Sequence, residues 1–401
     1  MLVFLSDLHL IDNPRRNLKP GAFRKFASYL KSTVEKSDAD INSVEVVLLG
    51  DIFDPLKSDM WHKSTLRPWS DEDECDLTGK TKRKFVGEIV NNICTDSQNQ
   101  ESLAILAGLK DQLDVPVKMT YIMGNHDRLI NDYPETRIQV AKCLGMSNVF
   151  RFEKEPFPLE KVWKDYRTLA RHGNSYDQFN PQGRSSIGDA IVIDLIGKFP
   201  KLMAGDDRVS EDVLGLLEEI EFVRPYVDVP MWLESLSLGE QGGKALIKSV
   251  LGCWNDIIDD FLKIDFIREQ TKDMWLLRRA IQFGLKTFGR LALHKYVVRA
   301  CSKMLMSNGN GYDEHASKEA ALDKDVDFVV YGHTHKQSLV PLRKIEGKPK
   351  VYFNTGTWTK VHMKDVFGDQ VGFQSWQVMS FVNIFNNERK HRFEVWNGSL
   401  G

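Results

Sequence analysis

Short apolar runs alternate with longer stretches of helical periodicity in the first third of the chain. Val3–Leu5, Val44–Leu49 and Val117–Met123 are apolar or β-branched. Runs of this length are typical of central strands that are buried on both faces. The helical patterns Gly21–Lys36 and Lys82–Leu113 separate these runs. The order β-α-β-α-β therefore predicts a layered α/β fold.

A block of different periodicity interrupts this pattern in the second half. Between about Phe199 and Ala321, apolar residues recur at three- and four-residue steps, which predicts an all-helical segment. We therefore predict one discontinuous core of residues 1–198 and 322–401, with a helical insertion at 199–321. Strands are expected to resume in the second part of the core, at Asp327–Tyr331, Ser338–Leu342, Lys350–Asn354, Gln374–Phe385 and His391–Trp396.

Composition narrows the class of protein. The 401 residues are 42% hydrophobic and 27% charged, which is typical of a globular protein. The net charge of −2 does not indicate a nucleic-acid-binding protein, although a local groove can still be basic. No run approaches the ~20 apolar residues of a membrane span, and the first residues do not read as a signal peptide. Five scattered cysteines without CxxC spacing argue against a disulfide framework or zinc ribbon. A cytoplasmic protein is expected.

Polar clusters follow several of these predicted strands. Because ligands collect beyond the carboxyl ends of strands in open α/β sheets, these clusters are expected to form one site. Their carboxylate, imidazole and amide groups are suitable ligands for Zn²⁺, Mn²⁺ or Fe. The clusters are Asp7-Leu8-His9, Gly50-Asp51-Ile52-Phe53-Asp54, Gly124-Asn125-His126-Asp127, His172-Gly173-Asn174 and Gly332-His333-Thr334-His335.

Local geometry gives two further expectations for these clusters. Residues two apart in a strand point to the same side, so Asp7 with His9, and His333 with His335, are each expected to present two groups toward one place. The glycines are expected to let the backbone turn sharply where a strand delivers its ligand.

Together these motifs resemble the calcineurin-like metallophosphoesterase superfamily. Its members carry DxH, GDxxD, GNHD or GNHE, a single histidine and GHxH in that order, and this chain carries all five. The resemblance covers about residues 1–199 and 326–396 and leaves out the helical block. It implies two mixed β-sheets packed face to face between helices, a four-layer α-β-β-α sandwich. It also implies a metal-dependent hydrolase of phosphate esters.

The resemblance further implies a role for each motif residue. Two divalent metals are expected, one on Asp7, His9, Asp51 and His335, and the other on Asp51, Asn125, His172 and His333. Asp51 would then bridge the pair, which activates a water for attack on phosphorus. Mn²⁺ is the expected ion, with Fe, Zn²⁺ or Mg²⁺ as alternatives. His126 is expected beside the leaving-group oxygen as a general acid, with Asp54 orienting it.

The motifs do not distinguish between phosphomonoesters, phosphodiesters and pyrophosphates as substrates, and they assign no substrate-binding residue. A metal-dependent DNA or RNA nuclease is the main alternative, with nucleotide or nucleic acid as partner, and a non-catalytic scaffold is a third. Asp54 is followed by Pro55-Leu56, where the related protein Ser/Thr phosphatases carry an arginine that binds phosphate. That branch is therefore not favoured. No pattern indicates the oligomeric state.

The insertion has two competing interpretations. It leaves the core after His172 and returns before His333, so a lid over the metals is one hypothesis. The alternative is a packing or oligomerisation domain that lies away from the site. Within it, Trp275–Tyr296 combines an apolar stripe with basic residues, which suits either a binding surface or a core helix with a solvated face.

Overall fold

The computed structural model describes residues 1–37, 40–177, 179–181, 183–236, 238–273, 278, 285–286, 311–323, 325–345, 348–367, 370–386 and 393–400. Among these residues, no helix combines the length and apolar character that a bilayer crossing requires.

The strands in the described residues follow the predicted positions closely in the first part of the chain. They are β1 (Leu2–Leu5), β2 (Val44–Leu49), β3 (Val117–Ile122), β4 (Glu160–Trp163), β5 (Thr168–Arg171), β6 (Val223–Arg224), β7 (Phe328–Tyr331), β8 (Ser338–Ile345), β9 (Lys348–Asn354), β10 (Val361–Phe367), β11 (Gln370–Trp376), β12 (Val378–Ile384) and β13 (Phe393–Ser399). The strand expected at Gln374–Phe385 is divided at residue 377 between β11 and β12.

The helices lie between these strands. In the described residues they are α1 (Pro20–Lys36), α2 (Lys82–Thr95), α3 (Ser97–Ala107), α4 (Leu109–Gln112), α5 (Arg128–Asp132), α6 (Pro134–Cys143), α7 (Ile187–Ala190), α8 (Lys198–Met203), α9 (Glu211–Glu218), α10 (Val229–Ser235), α11 (Leu238–Phe261), α12 (Asp265–Gln270) and α13 (Tyr312–Leu322). The backbone of α11 is interrupted by a kink at Gly243. A π-helical turn, Ile191–Gly197, joins α7 to α8.

The single helical stretch predicted over Lys82–Leu113 is three helices, and a capping residue explains the first break. The Asp96 side chain accepts hydrogen bonds from the backbone N–H groups of Gln98 and Asn99. A side chain in this N-cap role satisfies the first donors of a new helix, so it favours a restart over a continuous helix. Apolar periodicity continues across the break and does not reveal it.

Two five-stranded sheets form the centre of the molecule in the described residues. Their strand orders are β13-β12-β1-β2-β3 and β4-β5-β7-β9-β8, and a three-stranded sheet of order β11-β10-β6 lies beside them. β1, β2 and β3 run parallel in the first sheet, as do β5, β7 and β9 in the second. The loops that follow these parallel strands contain every polar cluster singled out above.

The two large sheets pack face to face around one apolar layer. Phe4 and Val47 of the first sheet share a cluster with Phe328 and Val330 of the second. The outer side of the first sheet packs on α1, α2 and α3, and the outer side of the second packs on α13. This arrangement confirms the expected α-β-β-α sandwich.

The helical block has an apolar cluster of its own. Its buried members run from Ile187 to Leu285 and include Trp254 and Phe261. The expectation of an all-helical block is wrong at β6, which pairs in parallel with β10. A two-residue strand is too short to produce a period-2 pattern in the sequence. Most of the Trp275–Tyr296 stripe lies outside the described residues.

Candidate metal centre

The candidate residues converge where the two large sheets meet. Asp7 and His9 follow β1, Asp51 follows β2, Asn125 and His126 follow β3, His172 follows β5, and His333 and His335 follow β7. The structure brings the aspartates and histidines among these residues into three groups of metal-capable atoms, each group within 4.8 Å. The groups are Asp7, His9 and His335; Asp51, His172 and His333; and His9, Asp51 and His126.

The backbone at the site is strained rather than extended. Positive φ angles occur at five predicted ligands, Asp7 (53°), His9 (48°), Asp51 (54°), His333 (70°) and His335 (58°). This left-handed region is unfavourable for residues with a side chain, and such residues cluster at functional sites. The expectation from strand alternation is wrong for His333 and His335, which belong to different groups. Asp7 and His9 do share one group, as expected, although both lie beyond the end of β1 rather than within a strand.

Glycines next to the ligands are required mainly for close approach. A Cβ atom on Gly50, where φ is 83°, would overlap the imidazole of His172 and lie 2.9 Å from Cα of Gly124. A Cβ atom on Gly124, which does not have a positive φ, would overlap the Asp51 carboxylate and lie 2.8 Å from the Asp51 backbone nitrogen. The loops after β2, β3 and β5 can therefore meet only if these two positions have no side chain.

We expect Gly50→Ala to destabilise the fold and to abolish metal binding. The left-handed φ alone costs about 1–2 kcal/mol. The overlap with His172 adds to this and raises the total to about 3 kcal/mol or more. Gly79→Ala is the matched control, because Gly79 has φ of 76° but nothing within 4 Å of the added Cβ. Denaturant unfolding and Mn²⁺ binding measure both effects, and equal losses in the two variants would contradict the overlap.

The first group consists of one aspartate and two histidines, and a second aspartate holds the outer nitrogen of one ring. Nε2 of His335 lies 3.3 Å from Oδ1 of Asp7 and 3.1 Å from Nε2 of His9. Oδ1 of Asp7 is buried and accepts no hydrogen bond among the described residues. The outer nitrogen of His9, Nδ1, donates to Asp54 at 2.7 Å. A carboxylate in this position fixes the ring so that its other nitrogen faces the cluster.

The second group is arranged in the same way. Nε2 of His172 lies 3.0 Å from Oδ2 of Asp51, and its Nδ1 donates to the carbonyl of Leu49 at 2.8 Å. His333 donates from Nε2 to Asp177 at 3.1 Å. Each ring therefore has one nitrogen held by an acceptor and the other available as a ligand atom.

Asn125 completes the second group of predicted ligands. Its amide nitrogen donates to Oδ1 of Asn180 at 3.3 Å. Its carbonyl oxygen is buried and has no hydrogen-bond partner among the described residues. A buried amide oxygen without a donor costs free energy unless a further partner such as a cation satisfies it.

The electrostatics of the cluster also favour a bound cation. Burial and the neighbouring Asp51 carboxylate raise the pKa of Asp7. Although burial disfavours the imidazolium, Asp51 raises the pKa of His172 to about 10. Two buried carboxylates share this small volume, and positive charge between them would relieve their repulsion. These donors suit a divalent metal with oxygen and nitrogen preference.

His126 and Asp54 form a pair beside the two groups. Nδ1 of His126 lies 2.9 Å from Oδ2 of Asp54, the same oxygen that accepts from His9. Burial opposes the ionised form of Asp54, but His126 and Lys57 hold its pKa well below the usual range. His126 also lies within the group that contains His9 and Asp51, a proximity that the sequence did not predict.

A comparison with protein-family models identifies the family to which this site belongs. The family model of calcineurin-like phosphoesterases matches residues 1–201. The chain belongs to the calcineurin-like phosphoesterase family. It is thus a metal-dependent hydrolase of phosphoesters, as the sequence motifs indicated. A comparison with curated proteins found none that matches.

The family match ends before the last two predicted ligands. Residues 1–201 of this calcineurin-like phosphoesterase include the loops after β1, β2, β3 and β5, but not His333 and His335. The structure brings this last loop to the same place, since the backbone N–H of His333 donates to Oδ2 of Asp7 at 3.0 Å. Thr357 also donates to the carbonyl of Asp7 at 2.6 Å. The distant half of the chain thus contributes directly to the centre.

Sequence reasoning missed several residues that touch the centre. Asp177 and Asn180 hold His333 and Asn125 from a loop after β5. Lys57 lies 3.5 Å from Asp54, and Arg224 of the helical block donates from Nε to Nδ1 of His335 at 3.3 Å. None of these residues belongs to a spaced motif, so no signal in a single sequence marks them.

Proposed function

We propose that this chain is a dinuclear metal-dependent phosphohydrolase. The observation that supports the proposal is a pair of ligand groups, Asp7-His9-His335 and Asp51-His172-His333, each made of buried or half-buried carboxylate and imidazole atoms within 4.8 Å. A third group places His9 of the first within the same distance of Asp51 of the second. The residues that would hold one metal are Asp7, His9, Asp51 and His335, and those that would hold the other are Asp51, Asn125, His172 and His333. When bound, a metal pair lowers the pKa of a water and neutralises charge on phosphoryl oxygens.

The protein's own side chains would do the remaining work. Asp54 accepts from His9 and lies against His126, so one buried carboxylate orients both a ligand and the candidate acid. The same carboxylate, with Asp51, raises the pKa of His126 although burial opposes the charge. His126 would donate its proton to the departing oxygen of the substrate, and Asp54 would orient the ring and stabilise its protonated form before the transfer.

We also propose that the helical insertion, residues 199–321, covers the centre, with residues 1–198 and 322–401 as the discontinuous core. Two contacts support this interpretation. Arg224 reaches His335, and Glu221 lies 3.4 Å from Lys57, which itself contacts Asp54. A domain remote from the site would not make these contacts. The insertion would exclude water and shape the substrate pocket.

Metal loading and a substrate screen test the proposed function. Protein treated with EDTA and reloaded with Mn²⁺ is expected to bind about two ions per chain. It should hydrolyse p-nitrophenyl phosphate, bis-p-nitrophenyl phosphate or a nucleotide pyrophosphate, and lose that activity again on chelation. Binding of less than about one ion per chain together with no hydrolysis would contradict it. Turnover of DNA alone would select the nuclease.

A further inference from the structure

One histidine of the centre has an unusual partner on its outer nitrogen. His9, His172 and His333 each donate from one ring nitrogen to an acceptor, namely Asp54, the Leu49 carbonyl and Asp177. His335 instead accepts, because Nε–H of Arg224 points at its Nδ1. Resting on the proposed function, we propose that Arg224 is the phosphate-binding residue of the site and that it selects phosphomonoesters over phosphodiesters.

The chemistry of the imidazole ring indicates that Arg224 needs a different acceptor when His335 binds a metal. When Nε2 of His335 gives its lone pair to a metal, the neutral ring carries its proton on Nδ1. That nitrogen is then a donor and cannot accept from Arg224. The Nε–H of Arg224 therefore needs another acceptor at the same edge of the centre, and a phosphoryl oxygen is the acceptor that a phosphoester brings.

The rest of the guanidinium is held in place for this role. Nη1 donates to the carbonyls of Glu221 and Val223 at 2.7 and 2.9 Å, and the guanidinium lies 4.5 Å from the centroid of the Tyr226 ring. No carboxylate of the described residues forms an ion pair with Arg224. Its positive charge thus remains available for an anion, in a group that is only half-buried.

A buried ion-pair network fixes the segment that carries Arg224. Glu221 is 3% exposed and accepts from Arg16 at 2.6 Å. It also lies 3.4 Å from Lys57, whose ammonium is 3.5 Å from Asp54. Because a buried carboxylate is stable only with such partners, these contacts hold the start of β6 against the core. Glu221 is therefore a positioning residue for Arg224.

This placement provides a guanidinium that the loop after β2 lacks. The position after Asp54 is Pro55, so the loop after β2 provides no arginine, and Lys57 is already engaged by Asp54 and Glu221. Arg224 brings a guanidinium to the centre from the inserted block instead. An additional fixed cation attracts a dianionic monoester more strongly than a monoanionic diester.

Phosphate binding and ester preference test this assignment in Mn²⁺-loaded protein. Arg224→Met is expected to weaken binding of inorganic phosphate roughly 10- to 100-fold by calorimetry. It should lower kcat/KM for p-nitrophenyl phosphate more than for bis-p-nitrophenyl phosphate, with the metal content unchanged. Arg224→Lys should lie between it and the wild type. Arg268→Met is the matched control, because Arg268 is exposed and pairs only with Asp265 among the described residues.

The outcomes separate the two proposals. Unchanged phosphate affinity in Arg224→Met, or a loss that only follows a loss of metal, overturns the role of Arg224. An equal fall for both esters overturns the preference for monoesters. If the wild type hydrolyses no ester at all, the proposed function fails, while the calorimetry still decides whether Arg224 binds phosphate. Should Arg224→Met not fold, Arg224→Lys provides the same comparison.

Discussion

Asp51→Asn is expected to lower kcat for p-nitrophenyl phosphate by roughly 10³-fold, which corresponds to about 4 kcal/mol of transition-state stabilisation. Asp51 shares one metal-capable group with His172 and His333 and another with His9, a ligand proposed for the other ion, so its carboxylate is the proposed bridge. An amide has one oxygen donor and no charge, so it cannot serve both ions equally. Steady-state kinetics with Mn²⁺, together with metal analysis, measures the effect.

Asp194→Asn is the matched control for this variant. Asp194 is also a buried aspartate, but its partner is Arg67 at 3.0 Å, and it belongs to none of the metal-capable groups of the described residues. We expect this control to bind metal and turn over substrate as the wild type does. If Asp51→Asn kept both its bound metal and its rate, the proposed centre would be wrong.

His126→Gln is also expected to have a large effect on kcat, and the size of that effect should depend on the leaving group. With an alkyl phosphate, whose alkoxide must be protonated as it leaves, we expect a loss of roughly 10²–10⁴-fold in kcat. With p-nitrophenyl phosphate the departing phenolate is already stable, so the loss should be about tenfold or less. The measurement is the ratio of the two rates in wild type and variant.

Metal content separates two roles for His126. The structure places it within 4.8 Å of ligand atoms of His9 and Asp51, a geometry that suits either a ligand or an acid. As an acid it can be removed without loss of bound Mn²⁺. A variant that loses metal, and loses both rates in the same proportion, would make His126 a ligand instead. His62→Gln is the matched control, since His62 is partly buried but belongs to none of these groups.

The features that could be predicted from the sequence are the strands whose positions follow from the local hydrophobic pattern. Short apolar runs produced β1, β2, β3 and β7 within one or two residues, because burial on both faces requires such runs. Boundaries set by single side chains were not predictable, as the restart at Asp96 illustrates. The face-to-face sheets followed from family resemblance rather than from periodicity, since the hydrophobic pattern does not specify which sheets pack together.

The sequence by itself determined the class of chemistry, because metal-capable residue types follow strand after strand in a family-specific order. Only the tertiary structure decided how those residues meet. Left-handed turns at Asp7 and His333, and glycines that allow loops to touch, set the directions of the ligands. Arg224 and Glu221 reach the centre through contacts between segments far apart in the chain. Such contacts depend on how the inserted block packs against the core. Because these two residues belong to no spaced motif, the sequence does not reveal them.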